Sequence, residues 1–220
     1  MKSRELLRRI FEPLAVCYMA VLLASCAGKP ILDAVDNPQA VWMENSQKLT
    51  EVSAWSLTGR ASVKVGAEGW NMNLTWKQTG ENYQIDLFGP LGMGRVKLIG
   101  QSGAVSLQRG SDDVLNAADP ESLMQQELGW SLPVNGMRYW VMGLAGPNSQ
   151  SKPSLNRDGT LRNLLQKGWN IHFDRYKKLD SVSLPGRVRL NNGALRLGLV
   201  IDNWKLERLS HRDKKEGAPG

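Results

Sequence analysis

From Trp55 onward the chain alternates with a period of two: Trp55, Leu57, Gly59, Ala61, Val63 and Val65 against Ser56, Thr58, Arg60, Ser62 and Lys64. That period predicts an extended strand with one buried face. It recurs through Trp70, Met72, Leu74 and Trp76, then Tyr83, Ile85 and Leu87, then Val96 and Leu98, then Val105 and Leu107. Turn signals at 66–69, 79–80, 89–94, 100–103 and Gly110 separate these runs at hairpin spacing, so the first half reads as an antiparallel meander. After a polar loop at 146–157, strands are expected again at 160–166, 168–176, 186–191, 194–201 and 203–207.

Helical signals interrupt this pattern. Asn37-Pro38 opens a helix over about 38–51, with asparagine as cap and proline at the first helical position. Asp119-Pro120-Glu121 starts a second to about Leu128, its acidic residues suiting the positive end of the helix dipole, and Pro133 starts a third through about Met142. Leu123, Met124, Leu128, Trp130, Leu132, Met137, Trp140 and Val141 are more apolar residues than a solvated surface helix carries. About eleven strands with one apolar face must curl and be covered. The predicted fold is mainly β: an incomplete, half-open antiparallel barrel, its open side lidded by about three helices.

The first 25 residues lie outside this architecture. Lys2, Arg4, Arg8 and Arg9 precede an apolar run from Pro13 to Leu23, the layout of a secretory signal. The run is roughly half the ~20 residues a spanning helix needs, which argues against an uncleaved anchor. Leu23-Ala24-Ser25-Cys26 resembles a bacterial lipobox, in which the cysteine is acylated and the chain is cut in front of it. The expected organisation is a lipoprotein signal over 1–25, a tether from the lipidated Cys26 to residue 37, a domain over 38–209, and a charged, disordered tail over 210–220. Ala27 follows the cysteine, where an aspartate would mark retention in the inner membrane; outer-membrane anchoring is expected, with the domain facing the periplasm.

Charge and cysteine content narrow the function. The signal segment holds four basic and two acidic residues, so the net charge of +7 falls to +5 in the mature chain. This excess suits anionic headgroups or an acidic partner and is too diffuse for nucleic acid. Cys17 lies in the signal and Cys26 at the lipid, leaving the domain no thiol for a disulfide, a metal or a nucleophile. Two histidines, His172 on a strand's polar face and His211 in the tail, and the lack of Gly-x-Ser-x-Gly or His-Glu-x-x-His leave a zinc site or a Ser-His triad without its parts; Asp112-Asp113 and Glu121 could supply carboxylates but read as turn and helix-start residues, so no enzyme, metal or cofactor is expected.

Eight tryptophans against three phenylalanines are the unusual part of the composition. Singly, each inward tryptophan is a core residue. Together, large stiff side chains interdigitate less easily than valine and isoleucine and leave apolar space. Trp55, Leu57, Trp70, Met72, Leu74, Trp76, Leu123, Met124, Leu128, Trp140, Trp169 and Trp204 are the residues expected to line an acyl-chain cavity. The loop Phe88-Gly89-Pro90-Leu91-Gly92-Met93-Gly94 places leucine and methionine where a hairpin turn normally carries Asn, Asp or Ser. Leu91 either folds back on the barrel or is exposed, and an exposed Leu91 marks contact with something apolar.

The lipobox, Trp55-Ser56-Leu57-Thr58-Gly59-Arg60, the Gly-Pro-Leu-Gly loop at 89–92 and the helices set into a strand series together resemble the LolA/LolB lipoprotein-localisation family, on its LolB side. The resemblance covers nearly the whole mature region. It implies a monomeric receptor that accepts lipoproteins from the periplasmic carrier LolA, encloses their acyl chains in an apolar cavity, and inserts them into outer-membrane lipid. In that family a protruding loop leucine is needed for insertion. By match of motif it is Leu91, flanked by Pro90 and Gly92, with Met93 as an additional apolar residue. The competing expectation is an anchored envelope scaffold with a filled core.

Overall fold

The computed structural model describes residues 34–89, 94–101, 103–110 and 113–208. Thirteen strands and three helices follow in the order α1 (Pro38–Thr50), β1 (Val52–Val65), β2 (Glu68–Thr79), β3 (Asn82–Phe88), β4 (Arg95–Gln101), β5 (Ala104–Arg109), β6 (Asp113–Ala117), α2 (Pro120–Leu128), α3 (Val134–Trp140), β7 (Ser151–Leu155), β8 (Leu161–Gln166), β9 (Trp169–Asp174), β10 (Lys177–Leu179), β11 (Val182–Leu184), β12 (Arg187–Asn191) and β13 (Leu195–Arg208). Eleven strands form one sheet in the order β6-β5-β4-β3-β2-β1-β13-β12-β9-β8-β7, and β10 and β11 form a separate hairpin. Every pairing is antiparallel. The edges β6 and β7 do not pair with each other, so the sheet stays open.

Two meanders meet where the 14-residue strands β1 and β13 pair. Trp55, Leu57, Ala61 and Val63 are buried on one face of β1, opposite Leu197 and Leu199 of β13. The alternation read from the sequence is therefore the two-sidedness of this sheet. The chain leaves the sheet at edge β6, crosses its apolar face as α2 and α3, and re-enters at the opposite edge as β7.

The helix ends follow their capping residues. Asn37 Oδ1 accepts from Ala40 N at 3.0 Å, and Asp119 Oδ2 accepts from Ser122 N at 2.7 Å. Gly129 closes α2 at φ 75°, the left-handed geometry that a residue with a Cβ resists. Helix α1 is held elsewhere by a two-way amide bracket: Asn45 Nδ2 donates to Ser183 O (3.1 Å) and Ser183 N donates to Asn45 Oδ1 (2.7 Å).

Three local expectations need correction. The polar loop at 146–157 contains the strand β7, whose Ser-Lys-Pro-Ser-Leu sequence lacks an apolar face because it needs to make only one ladder; Pro153 is tolerated at such an edge. The segments 194–201 and 203–207 are one strand, β13. A bulge opposite Thr58 and Gly59 shifts the phase so that Trp204 faces Leu57 and Leu206 faces Trp55, and this looks like a break in the sequence. Strands β6, β10 and β11 are too short for their periodicity to register.

Candidate functional site: an apolar cavity under a helical hairpin

Between the inner face of the sheet and the α2–α3 hairpin lies a cavity of about 50 Å³. Its floor is Ala61 and Val63 of β1, Leu74 and Trp76 of β2, Ile85 and Leu87 of β3, Val96 and Leu98 of β4, Leu107 of β5, and Leu197 and Leu199 of β13. Its roof is Met124, Leu128, Trp130, Leu132, Val134 and Met137. No charged side chain, hydroxyl or amide lines it. Ligand pockets usually measure about 300–1,000 Å³, and this space is smaller than that.

Four of the twelve residues expected to line a cavity do line this one: Leu74, Trp76, Met124 and Leu128. Leu57 and Leu123 are buried without reaching it, and Met72 packs on the core at half burial. Trp55 lies in an aromatic cluster, its ring centroid 5.2 Å from Trp76 and 5.5 Å from Trp204. Trp140 and Trp169 pair at 6.4 Å in a separate part of the core. Trp70 is 39 % exposed and faces Trp130 at 6.4 Å.

Sequence reasoning missed Ile85, Leu87, Val96, Leu98 and Leu107 as lining residues because tryptophan drew attention away from ordinary aliphatic positions. Their period-two phase was the available signal. Of the large rings only Trp76 and Trp130 border the space, and a hydrogen bond fixes Trp204 in the packing around it as another fixes Trp76: Trp76 Nε1 donates to Gln78 Oε1 at 3.0 Å and Trp204 Nε1 to Pro185 O at 3.1 Å.

The hairpin is pinned unequally. At one end Trp140 Nε1 donates to Gln166 Oε1 (2.7 Å), and the same buried amide accepts from Gly146 N (2.8 Å) and donates to Gly146 O (2.8 Å) and Ser149 Oγ (2.8 Å). That network ties the end of α3 to β8. Arg138 adds an ion pair to Glu81 in the β2–β3 turn at 3.1 Å. At the other end the tip, residues 129–133, rests on the Trp70–Trp130 contact, with Arg109 bridging to Glu127 at 3.0 Å near the end of α2. An exposed ion pair contributes ~0–1 kcal/mol, so the tip is held chiefly by apolar burial, Leu132 being buried in the core and Trp130 packed against it, with no counterpart of the Gln166 amide network.

The tip sits at the same end of the sheet as the β3–β4 connection, because β3 runs from the β2–β3 turn back toward the β1–β2 hairpin. Pro90, Leu91, Gly92 and Met93 fall outside the described residues, as does Cys26. The base of their loop is well defined. Gly89 N donates to Gly94 O at 3.1 Å, with Gly94 at φ 70°, and Arg95 grips the buried Asp86 through Nε (3.2 Å) and Nη2 (2.6 Å). Gln84 Nε2 donates to the other carboxylate oxygen at 2.6 Å.

Burial by itself raises the pKa of Asp86; the Gln84 and Arg95 hydrogen bonds, with the charges of Arg95 and Lys97, outweigh it and hold the carboxyl below its ordinary range. A depressed carboxyl stabilises the fold above its unfolded pKa, ~3.9, and that contribution is lost as pH falls through the folded value. Asp86→Asn is expected to lose about 1–3 kcal/mol at neutral pH. In urea melts at stepped pH the variant should also show a shallower fall on the acid side than the parent; parallel curves would refute this role for Asp86.

An open antiparallel sheet lidded by a helical hairpin over a wholly apolar cavity is the class of fold the chain adopts. The family profile described as outer membrane lipoprotein LolB matches residues 53–204, and the chain belongs to that family. The Outer-membrane lipoprotein LolB of Nitrosococcus oceani is 38 % identical over 187 residues, 84 % of this chain and 93 % of the relative. That of Pseudomonas paraeruginosa is 36 % identical over 190 residues, 86 % of this chain and 93 % of the relative. Among solved structures, a LolA superfamily protein from Nitrosomonas europaea superposes with a TM-score of 0.49 at 6 % identity, covering 81 % of this chain and 97 % of its own. The chain is thus an outer-membrane lipoprotein with a role in lipoprotein localisation. Among the described residues no helix is long and apolar enough to cross a membrane.

Proposed function

We propose that the protein, anchored through a lipid on Cys26, accepts lipoproteins from the periplasmic carrier LolA by taking their acyl chains into the lidded cavity, and then releases them into outer-membrane lipid. The observation that carries this reading is the absence of any charged, hydroxyl or amide side chain from the cavity wall, beneath a hairpin whose hydrogen-bond network lies at one end. An exposed acyl chain of ordinary length costs on the order of 10 kcal/mol in water, so cargo must pass from one shelter to another. Handover between two such cavities needs no fuel if the receiver binds more tightly, since the affinity difference sets direction.

In the closed form about 50 Å³ holds a few water-sized bodies, so entry requires the tip to lift. Swinging about the Gln166 end breaks the Trp70–Trp130 contact and the Arg109–Glu127 bridge, and leaves the sheet ladders intact. Delipidated protein mixed with a fluorescent fatty-acid analogue is expected to bind it stoichiometrically and displaceably, with energy transfer from the cavity tryptophans. No uptake at any concentration would favour the scaffold instead.

A further inference from the structure

The face of the sheet turned away from the cavity holds a polar trough of about 680 Å³, lined among others by Lys64, Asn71, Asn170, Arg189 and Arg196, with no acidic side chain in its lining. Its floor is kept low by Gly198, where a Cβ would come within 2.6 Å of Ser62 Oγ. Strand register sets the charges in rows. Lys64 of β1 lies directly opposite Arg196 of β13, and Arg189 of β12 directly opposite His172 of β9.

Like charges directly opposite across a ladder destabilise a sheet. Neither Lys64 nor Arg196 has an acidic partner among the described residues to offset this, and the one acid bordering the trough, Asp174, is spent on Arg189 at 2.9 Å. Burial first, and then the surrounding cations Arg189, Arg162 and Arg187, outweigh Asp174 and lower the pKa of His172. The amides of Asn71 and Asn170 carry no hydrogen-bond partner among the described residues. On the same outward face Leu165, in register with Asn170, is 47 % exposed. Folding gains nothing from this arrangement.

We propose that the trough is the docking surface for an acidic segment of a protein partner, whose carboxylates meet Lys64 and Arg196 and whose backbone meets the amides of Asn71 and Asn170. A bilayer is flat and would meet the rims before the recessed cations. Arginine side chains beside unpaired amides are the chemistry of a protein interface. The surface lies on the opposite side of the sheet from the acyl cavity, so it stands whether or not the cavity binds lipid.

The test uses the full-length protein in detergent micelles and a fluorescein-labelled peptide of alternating glutamate and alanine, followed by anisotropy at low salt. Lys64→Gln with Arg196→Gln is expected to weaken binding about tenfold or more, while thermal stability holds or rises as the repulsion is removed. Lys152→Gln with Lys178→Gln, an equal loss of charge at exposed positions elsewhere, should leave binding nearly unchanged. Equal weakening by both pairs would reduce the effect to overall charge and overturn the proposal, as would failure of the parent to bind. Vesicles of phosphatidylglycerol and phosphatidylethanolamine form the second arm: binding to them that depends on Lys64 and Arg196, without peptide binding, would assign the trough to lipid and also overturn it.

Discussion

Leu91→Glu is expected to leave fatty-acid uptake at parental affinity and to abolish delivery of lipoproteins to the outer membrane. Burying one leucine is worth ~1.5–3 kcal/mol, too little to anchor a protein and enough to bias the open end of the cavity toward the bilayer. A glutamate reverses that sign, since a carboxylate resists entering apolar surroundings. The base of the loop is braced by Asp86 and Arg95 independently of residue 91, so the change should not disturb the fold. Transfer assays with LolA-bound cargo and outer-membrane vesicles provide the readout. Delivery at the parental rate would remove the loop from the mechanism.

Leu98→Trp should have a comparable effect on the other half of the process. Leu98 lies in the cavity floor between Ile85 and Leu107 in register, buried to 5 % exposure. An indole there occupies the small closed space and continues to obstruct it when the tip lifts. Overpacking costs typically ~1–3 kcal/mol, partly offset because a void is filled, so the protein should remain folded. Affinity for the fluorescent fatty acid is expected to fall at least about tenfold, or 1.4 kcal/mol. Unchanged affinity in a folded variant would mean that the acyl chain sits elsewhere.

The sheet was legible wherever burial enforces a strict phase. Strands β1 to β5 have one face in the core, and a slip of one residue in β1 or β2 would turn Leu57 or Leu74 to solvent. The helix starts were equally plain because Asn37-Pro38 and Asp119-Pro120 act locally. Legibility failed where tertiary context replaces local pattern. Strand β7 is defined by the ladder it completes, and β13 by a bulge that depends on β1. The cavity illustrates the same limit: which inward residue borders empty space depends on how α2 and α3 settle over the sheet. The aliphatic Leu98 and Leu107 therefore border it while Trp55 and Trp169 do not. The cations around His172 come from the strands β8 and β12 that flank β9, a neighbourhood set by strand pairing.

The unpaired edges carry a cost that a freely diffusing protein would feel less. Copies tethered to one surface meet in two dimensions at a shared height and orientation, conditions that favour strand-to-strand zippering between neighbours. Pro153 and Lys152 on β7, and the brevity of β6 with Asp113 clasped by Arg109 at 3.1 Å, make both rims poor templates for such pairing. The barrel can therefore stay ajar in a crowded membrane without polymerising.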